Sequence, residues 1–266
     1  MLPVLPVLDV LSPKKNKRLQ ILVAQPACAN NMSEWKDALY SAAQRGLVDR
    51  VATLLADVNM QDVAVQDAMR AALQISIRND HVIVVRILCA AGAGFKLAKH
   101  GFSIKFKYRN GRCELRHNFQ PIHLAASVGS ASCIAELVSH FHISAGARDM
   151  CMDAPLHWAC RHAHVDAIRK LLVVKAHIGD KNARHETPLD LAVGYKHNRG
   201  VAALVASQSE ETDVSTVFQR ARERALDNHC FTLVGLLTRA LIARHSAVRD
   251  RPSVTHIFFK MQSRRK

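Results

Sequence analysis

Residues 154–172 read APLHWACRHAHVDAIRKLL, and two other stretches read almost alike: QPIHLAASVGSASCIAELV at 120–138 and TPLDLAVGYKHNRGVAALV at 187–205. Their prolines fall at 121, 155 and 188, so the spacings are 34 and 33. Self-similarity at a fixed period of this size marks a chain built by repeating one supersecondary unit. Two further copies lack the proline. These are ALYSAAQRGLVDRVATLL from Ala38 and ALQISIRNDHVIVVRIL from Ala72, with small residues Ala42 and Ser76 again 34 apart. A weaker copy, ERALDNHCFTLVGLL, starts at Glu223.

The residue types fit a pair of short helices in each copy. Proline suits the first helical position, where its missing N–H would have had no partner. Ala125, Ala159 and Ala192 are small enough for two antiparallel helices to approach closely. In the second helices the spacing of Val82, Val85, Ile87 and Leu88, or of Val165, Ile168, Leu171 and Leu172, predicts an apolar face. Neither helix can bury that face alone, so neighbouring copies must stack into a solenoid.

These stretches resemble the ankyrin repeat family over roughly residues 37–240. The family motif is T-P-L-H-x-A-A, two residues and Gly-His, then a second helix ending in Leu-Leu. Pro155, Leu156, His157, Ala159, His164, Leu171 and Leu172 match it. The resemblance implies an all-α ankyrin-repeat solenoid of about five to six helix-turn-helix repeats. It also implies that Pro121, His123, Pro155, His157, Thr187 and Pro188 are structural motif residues, with His123 and His157 hydrogen-bonding between neighbouring repeats. His81 and His164 would open second helices. Two departures stand out: Lys175-Ala176 replaces the glycine turn seen at Gly92-Ala93, and Asp190 replaces the motif histidine. Both put the regularity of the turns in question.

One cysteine and three histidines within residues 154–164 could form a zinc site or a Cys–His nucleophile pair. The repeat accounts for His157, His164 and Cys160 and leaves only His162 over, so structural histidines are expected. No metal site, catalytic residue or cofactor is predicted. The seven cysteines are odd in number and form no CxxC pair, which suggests thiols kept reduced in the cytoplasm, with a nucleus or a host-cell cytoplasm as variants. No Gly-rich phosphate loop, G-x-S-x-G or H-E-x-x-H is present, so the chain is not expected to be an enzyme.

The net charge of +15 is unevenly placed. Residues 1–31, 96–117 and 244–266 carry +3, +6 and +6, which is all of it, and the repeats balance to zero. The middle segment is an insertion, because Ser76 and Ala125 lie 49 residues apart, about 16 more than one repeat. Asn110-Gly111 within SIKFKYRNGRCELRH predicts a two-residue type I′ turn, and with it a long β-hairpin finger at about 96–119. Folding there would pair Lys105 with Arg116 and Arg109 with Arg112. Ile104, Phe106, Tyr108, Cys113 and Leu115 would line one face. Lys105, Lys107, Arg109, Arg112 and Arg116 would line the other, beside Glu114.

Residues 1–32 are expected to be a disordered or weakly ordered leader rather than a signal peptide, and translation starting at Met32 fits the onset of helical patterning. Residues 33–243 are expected to be the repeat domain and 244–266 a basic tail. The function expected is a monomeric protein–protein interaction scaffold. Its concave face and the basic finger, through Lys105, Lys107, Arg109, Arg112 and Arg116, would hold an acidic protein partner. Small, divergent proteins of this kind with basic ends also resemble effectors that intracellular bacteria deliver into host cells. The alternative is a binder of nucleic acid or an anionic membrane surface through the basic appendages.

Overall fold

In a computed structural model, residues 32–56, 58–60, 62–92, 102–107, 113–206 and 214–249 are described. The chain divides into two compact units, Met1–Ala38 and Leu39–Lys266, and the features that follow belong to the second, apart from the first turns of the opening helix. Ala42, Ser76, Ala125, Ala159, Ala192 and Ala225 each accept a backbone hydrogen bond, at 2.8–3.0 Å, from the N–H five residues on. The residue just before each of those donors is left-handed: Gly46, Asp80, Gly129, Ala163, Lys196 and His229, with φ between 55° and 85°. This is a Schellman closure, which ends a helix and satisfies one of its orphan carbonyls. It recurs six times, once per repeat.

Each closure joins a first helix to a second. The pairs are α1 (Met32–Arg45) and α2 (Val48–Ala56), α3 (Val63–Arg78) and α4 (Val82–Ala90), and α5 (Pro121–Val128) and α6 (Ala131–Ser139). They continue with α7 (Pro155–Arg161) and α8 (Val165–Val173), α9 (Pro188–Gly194) and α10 (Asn198–Ala206), and α11 (Val214–Asp227) and α12 (Phe231–Arg249). First helices pack on first helices from α3 through α5, α7 and α9 to α11, and second helices pack on second helices from α2 to α12. The described residues therefore hold six helix pairs, and α2 to α12 lie in two layers, as the repeat pattern implies.

The core lies between and within the pairs. Ile122, Leu156 and Leu189 from the first helices and Ile134, Ile168 and Val201 from the second are fully buried. Each such side chain contributes roughly 1.5–3 kcal/mol by leaving water. The apolar face of α4 differs from the expected set. Val84, Val85, Leu88 and Cys89 are buried, whereas Val82 and Ile87 are only half-buried. In α8, Ala167, Ile168 and Leu171 are buried and Leu172 is half-buried. The small residues Ala167 and Cys133 are fully buried and were not apparent as core positions from apolar spacing.

The turns stay regular where the sequence departs from the motif. Lys175 takes the left-handed conformation itself, with φ 63°, where Gly92 has φ 98°. The strain is accepted, not avoided. Helix α12 also extends to Arg249, beyond the boundary at 243 suggested by composition.

Strands β1 (Phe102–Lys107) and β2 (Cys113–Phe119) pair antiparallel. Their register corrects the expected one. Phe102 pairs with Phe119, but Ile104 pairs with Arg116, so β2 carries one extra residue between these pairs. Beyond this irregularity Lys105 is opposite Leu115, Phe106 opposite Glu114 and Lys107 opposite Cys113. Lys105 and Arg116 are thus not paired. Directly opposed positions share a face, and a one-residue slip exchanges the faces of one strand. The clean sorting into apolar and basic faces does not survive. The ladder is centred on Asn110, not between Asn110 and Gly111 as a two-residue turn requires. Arg109, Asn110, Gly111 and Arg112 lie outside the described residues.

The insertion leaves the stack uninterrupted. Across it, Arg86 of α4 donates to both carboxylate oxygens of Glu136 on α6, at 2.5 and 2.9 Å. Ser130, at the start of α6, donates to the carboxylate of Asp80.

Candidate partner-binding surface

Three first helices are too deeply buried to present a binding face. Pro121–Ser127, Pro155–Cys160 and Pro188–Val193 are all buried. Even the residues after the motif histidine or its substitute, Leu124, Trp158 and Leu191, are covered. Trp158 meets Phe119 edge-on at 5.0 Å, and the guanidinium of Arg161 lies over its ring at 4.6 Å.

The histidines hold repeats together from both sides. His123 accepts the Gln120 N–H at Nδ1, 3.1 Å, and His157 accepts the Ala154 N–H in the same way at 3.0 Å. With Nδ1 accepting, Nε2 carries the proton and donates forward, from His123 to the Ala147 carbonyl and from His157 to the Glu186 carbonyl, both at 3.1 Å. Burial pushes the His123 imidazole down to about 4, against the opposing pull of its carbonyl partners. Burial also lowers His157. Both are neutral linkers. His81, His164 and His197 reach back instead, each with Nε2 at 3.0 Å from a carbonyl of the preceding repeat: Gln44, Ser127 and Arg161 respectively.

Asp190 performs half of the missing histidine's work. Its Oδ2 accepts both the Thr187 N–H and the Thr187 hydroxyl at 2.9 Å, while Thr187 Oγ1 accepts the Asp190 N–H at 3.2 Å. Its forward link is an ion pair instead, with Nε of Arg220 in α11 lying 3.8 Å from Oδ2.

Within APLHWACRHAH, Cys160 is fully buried, and burial pushes its thiol far above the ordinary range. His162 stacks between Trp158 and His164, at 6.1 Å from each. Among the described residues, no group of three or more His, Cys, Asp or Glu is placed to hold a metal ion. No described helix is long and apolar enough to cross a membrane.

What the repeats do present are turn tips. Asp149 and Asn182 each lie six residues before a motif proline. Asp149 Oδ1 accepts the N–H groups of Cys151 and Asp153, both at 2.9 Å. Asn182 Oδ1 accepts those of Arg184 and Glu186, at 3.0 and 2.9 Å. Both turns close with a backbone bond, Asp149 N–H to Asp153 O and Asn182 N–H to Glu186 O.

The two turns are also tied to each other. Asp153 accepts from Asn182 Nδ2 at 2.9 Å and from Arg161 at 3.1 Å, and Arg148 pairs with Asp180 at 2.6 Å. Trp158 Nε1 donates to Asp149 Oδ2 at 3.2 Å. Burial would raise Asp153, but Arg161 and Asn182 outweigh it and hold the carboxyl below the ordinary range. Burial and the neighbouring Asp153 raise Asp149. On this base, Met150 and Met152 stand 64% and 49% exposed, with Ala183, Arg184 and His185 exposed one repeat on.

Sequence reasoning missed this network. Its one signal was an Asx residue six positions before each of two prolines, hidden by the different company in RDMCMDAP and KNARHETP. Pro121, Pro155 and Pro188 each open a first helix. Lys105 and Lys107 fall in β1 and Arg116 in β2, with none of the three opposite another.

A stack of paired helices, closed by one repeated turn and stitched by histidines at fixed positions, defines a helical-repeat protein. The family model for ankyrin repeats (three copies) matches residues 93–182 and 122–216, so this part of the chain carries ankyrin repeats. No curated protein matches it.

Proposed function

We propose that this chain is a protein-interaction scaffold whose contact surface is the row of turn tips rather than the first helices. Ankyrin repeats generally mediate protein–protein interaction. The observation that carries the reading is the contrast between the three first helices α5, α7 and α9, buried almost along their length, and tips such as Met150 and Met152 raised on a hydrogen-bonded base. Methionine is flexible and polarizable, and suits a surface that must fit an irregular apolar partner. The base fixes the tips beforehand, so less ordering is left to the moment of binding.

The basic insertion extends the same surface in this reading. Lys105, Lys107, Arg109, Arg112 and Arg116 supply positive charge next to a repeat stack that is itself neutral, which favours an acidic protein partner. Such charge raises the association rate and orients the partner more than it adds affinity. The test is capture of partners by the full chain, by Met150→Glu/Met152→Glu, and by Arg109→Glu/Arg112→Glu. Loss with the methionine variant, and salt-sensitive slowing with the arginine variant, support the reading. Capture unchanged by both removes it. If the arginine variant alone lost binding, and only to mixed-sequence DNA, RNA or anionic vesicles, the basic segment would be a polyanion site instead.

A further inference from the structure

The outermost repeat of a solenoid has no neighbour on one side, and that side is usually polar. In the last repeat of this chain it is apolar. Ala126, Cys160 and Val193 occupy one position in three successive repeats and are 0% exposed in the two residues Ala126 and Cys160 and in Val193 alike. The same position in α11 is Leu226, which is 45% exposed. Val85, Ile134, Ile168 and Val201 are likewise fully buried at a second shared position, but its last occupant, Val234, is only half-buried.

The following repeat covers that second position inside the stack. A Cβ added to Gly200 would lie 3.5 Å from Cδ1 of Ile168. Among the described residues nothing plays this part for α12, where Phe231 and Ile242 are 72% and 64% exposed. Phe231, Val234, Thr238 and Ile242 follow at i, i+3, i+7 and i+11, a single helical stripe.

The chain continues directly from this helix. Residues 250–266 read DRPSVTHIFFKMQSRRK, with Ile257, Phe258, Phe259 and Met261 forming an apolar group between Pro252 and the closing basic residues. We propose that the outer face of α11 and α12 is the docking site of this segment, with Ile257–Phe259 seated over Phe231, Val234 and Ile242, so that the chain caps its own last repeat. The stripe from Phe231 to Ile242 is about 16 Å long at 1.5 Å per residue. The residues between Arg249 and Phe259 reach about 30 Å when extended, enough to return along it. Pro252 cannot continue a helix without disrupting it, which favours a change of chain direction close to Arg249.

A second copy of the chain is the weaker occupant. Two molecules of net charge +15 repel, whereas a tethered segment meets its site at an effective concentration in the millimolar range, on the order of what short flexible linkers give.

The test uses the full chain with a photoreactive phenylalanine analogue at position 258. Illumination at low micromolar concentration should link it to Phe231–Ile242 of the same molecule, and Ile242→Glu should abolish the link while leaving the far-UV spectrum unchanged. In parallel, deletion of residues 250–266 should speed amide exchange in α12 by about tenfold or more, with α5–α8 unaffected. Links to other helices, links between molecules, or α12 exchange unchanged by the deletion would each overturn the proposal.

Discussion

The ring of His164 lies across Gly129 of the preceding repeat so closely that a Cβ there would come within 2.6 Å of Nδ1, while Nε2 stands 3.0 Å from the Ser127 carbonyl. The glycine thus serves two needs: a left-handed turn, with φ 85°, and room for the next repeat's histidine. Gly129→Ala should cost about 2–4 kcal/mol, combining left-handed strain with a forced shift of a hydrogen-bonded ring. Gly92→Ala is the control, since its φ is 98° but nothing lies within 4 Å of the added Cβ. It should cost only about 1–2 kcal/mol. Urea unfolding of both variants measures the difference.

Ala163 and Lys175 hold the same backbone conformation without being glycine, with φ 60° and 63°. Replacing either with glycine removes the steric strain but loosens the unfolded chain, and the first effect is larger at a left-handed position. Ala163→Gly and Lys175→Gly should each stabilise by about 0.5–1 kcal/mol, or raise Tm by about 1–4 °C. A fall in Tm for both would show that the turns are not strained.

The helix pairs were legible because proline, small residue and leucine recur in phase and each has one physical task. The turn joining the pairs was not, because four of its six left-handed positions are Asp80, Ala163, Lys196 and His229. Backbone hydrogen bonds impose the turn, and they leave no trace in side-chain type. The register of β1 and β2 was misread for a related reason. Asn110-Gly111 favours a two-residue turn locally, but an extra residue in β2 between Arg116 and Phe119 moves the ladder, and no single residue announces it. The Asp149–Asp153–Asn182 network was invisible because its members lie in different repeats and only folding brings them together.

The pair Arg86–Glu136 joins the two repeats that flank the insertion, and its two ends differ in burial. Glu136 is 7% exposed and Arg86 43%. The hydrogen bonds from Arg86 hold the Glu136 carboxyl below its ordinary range despite burial. Arg86→Ala would strand a carboxylate away from water and should cost about 1–3 kcal/mol. The double variant Arg86→Ala/Glu136→Gln should recover part of that loss, because no buried charge is then left unpaired. A double-mutant cycle from chemical denaturation gives the coupling, and additive losses would mean that the repeats stack without help from this pair.

His123 makes stability depend on pH in a defined window. Burial holds its folded-state value at about 4, against about 6.5 for an unfolded histidine. Its folded value is the lower one, so the unfolded state takes up the proton first. The contribution is complete above about pH 6.5 and is lost as pH falls towards 4, because unfolding then gains a proton. The loss over that window is about 3 kcal/mol, at 1.36 kcal/mol for each pH unit of difference. His157 is lowered for the same reason and adds in the same direction. The carboxyls of Asp153 and Glu136, held below their ordinary range, begin to lose their contribution at the acid end of this window and lose most of it below. His123→Gln removes the titrating ring and keeps a donor and an acceptor. It should lower stability at pH 7.5 but flatten the fall between pH 6.5 and 4 by close to one proton's worth of slope. Urea unfolding at half-unit pH intervals measures that slope, and a variant with the parent's pH dependence would show that His123 is not the group being titrated.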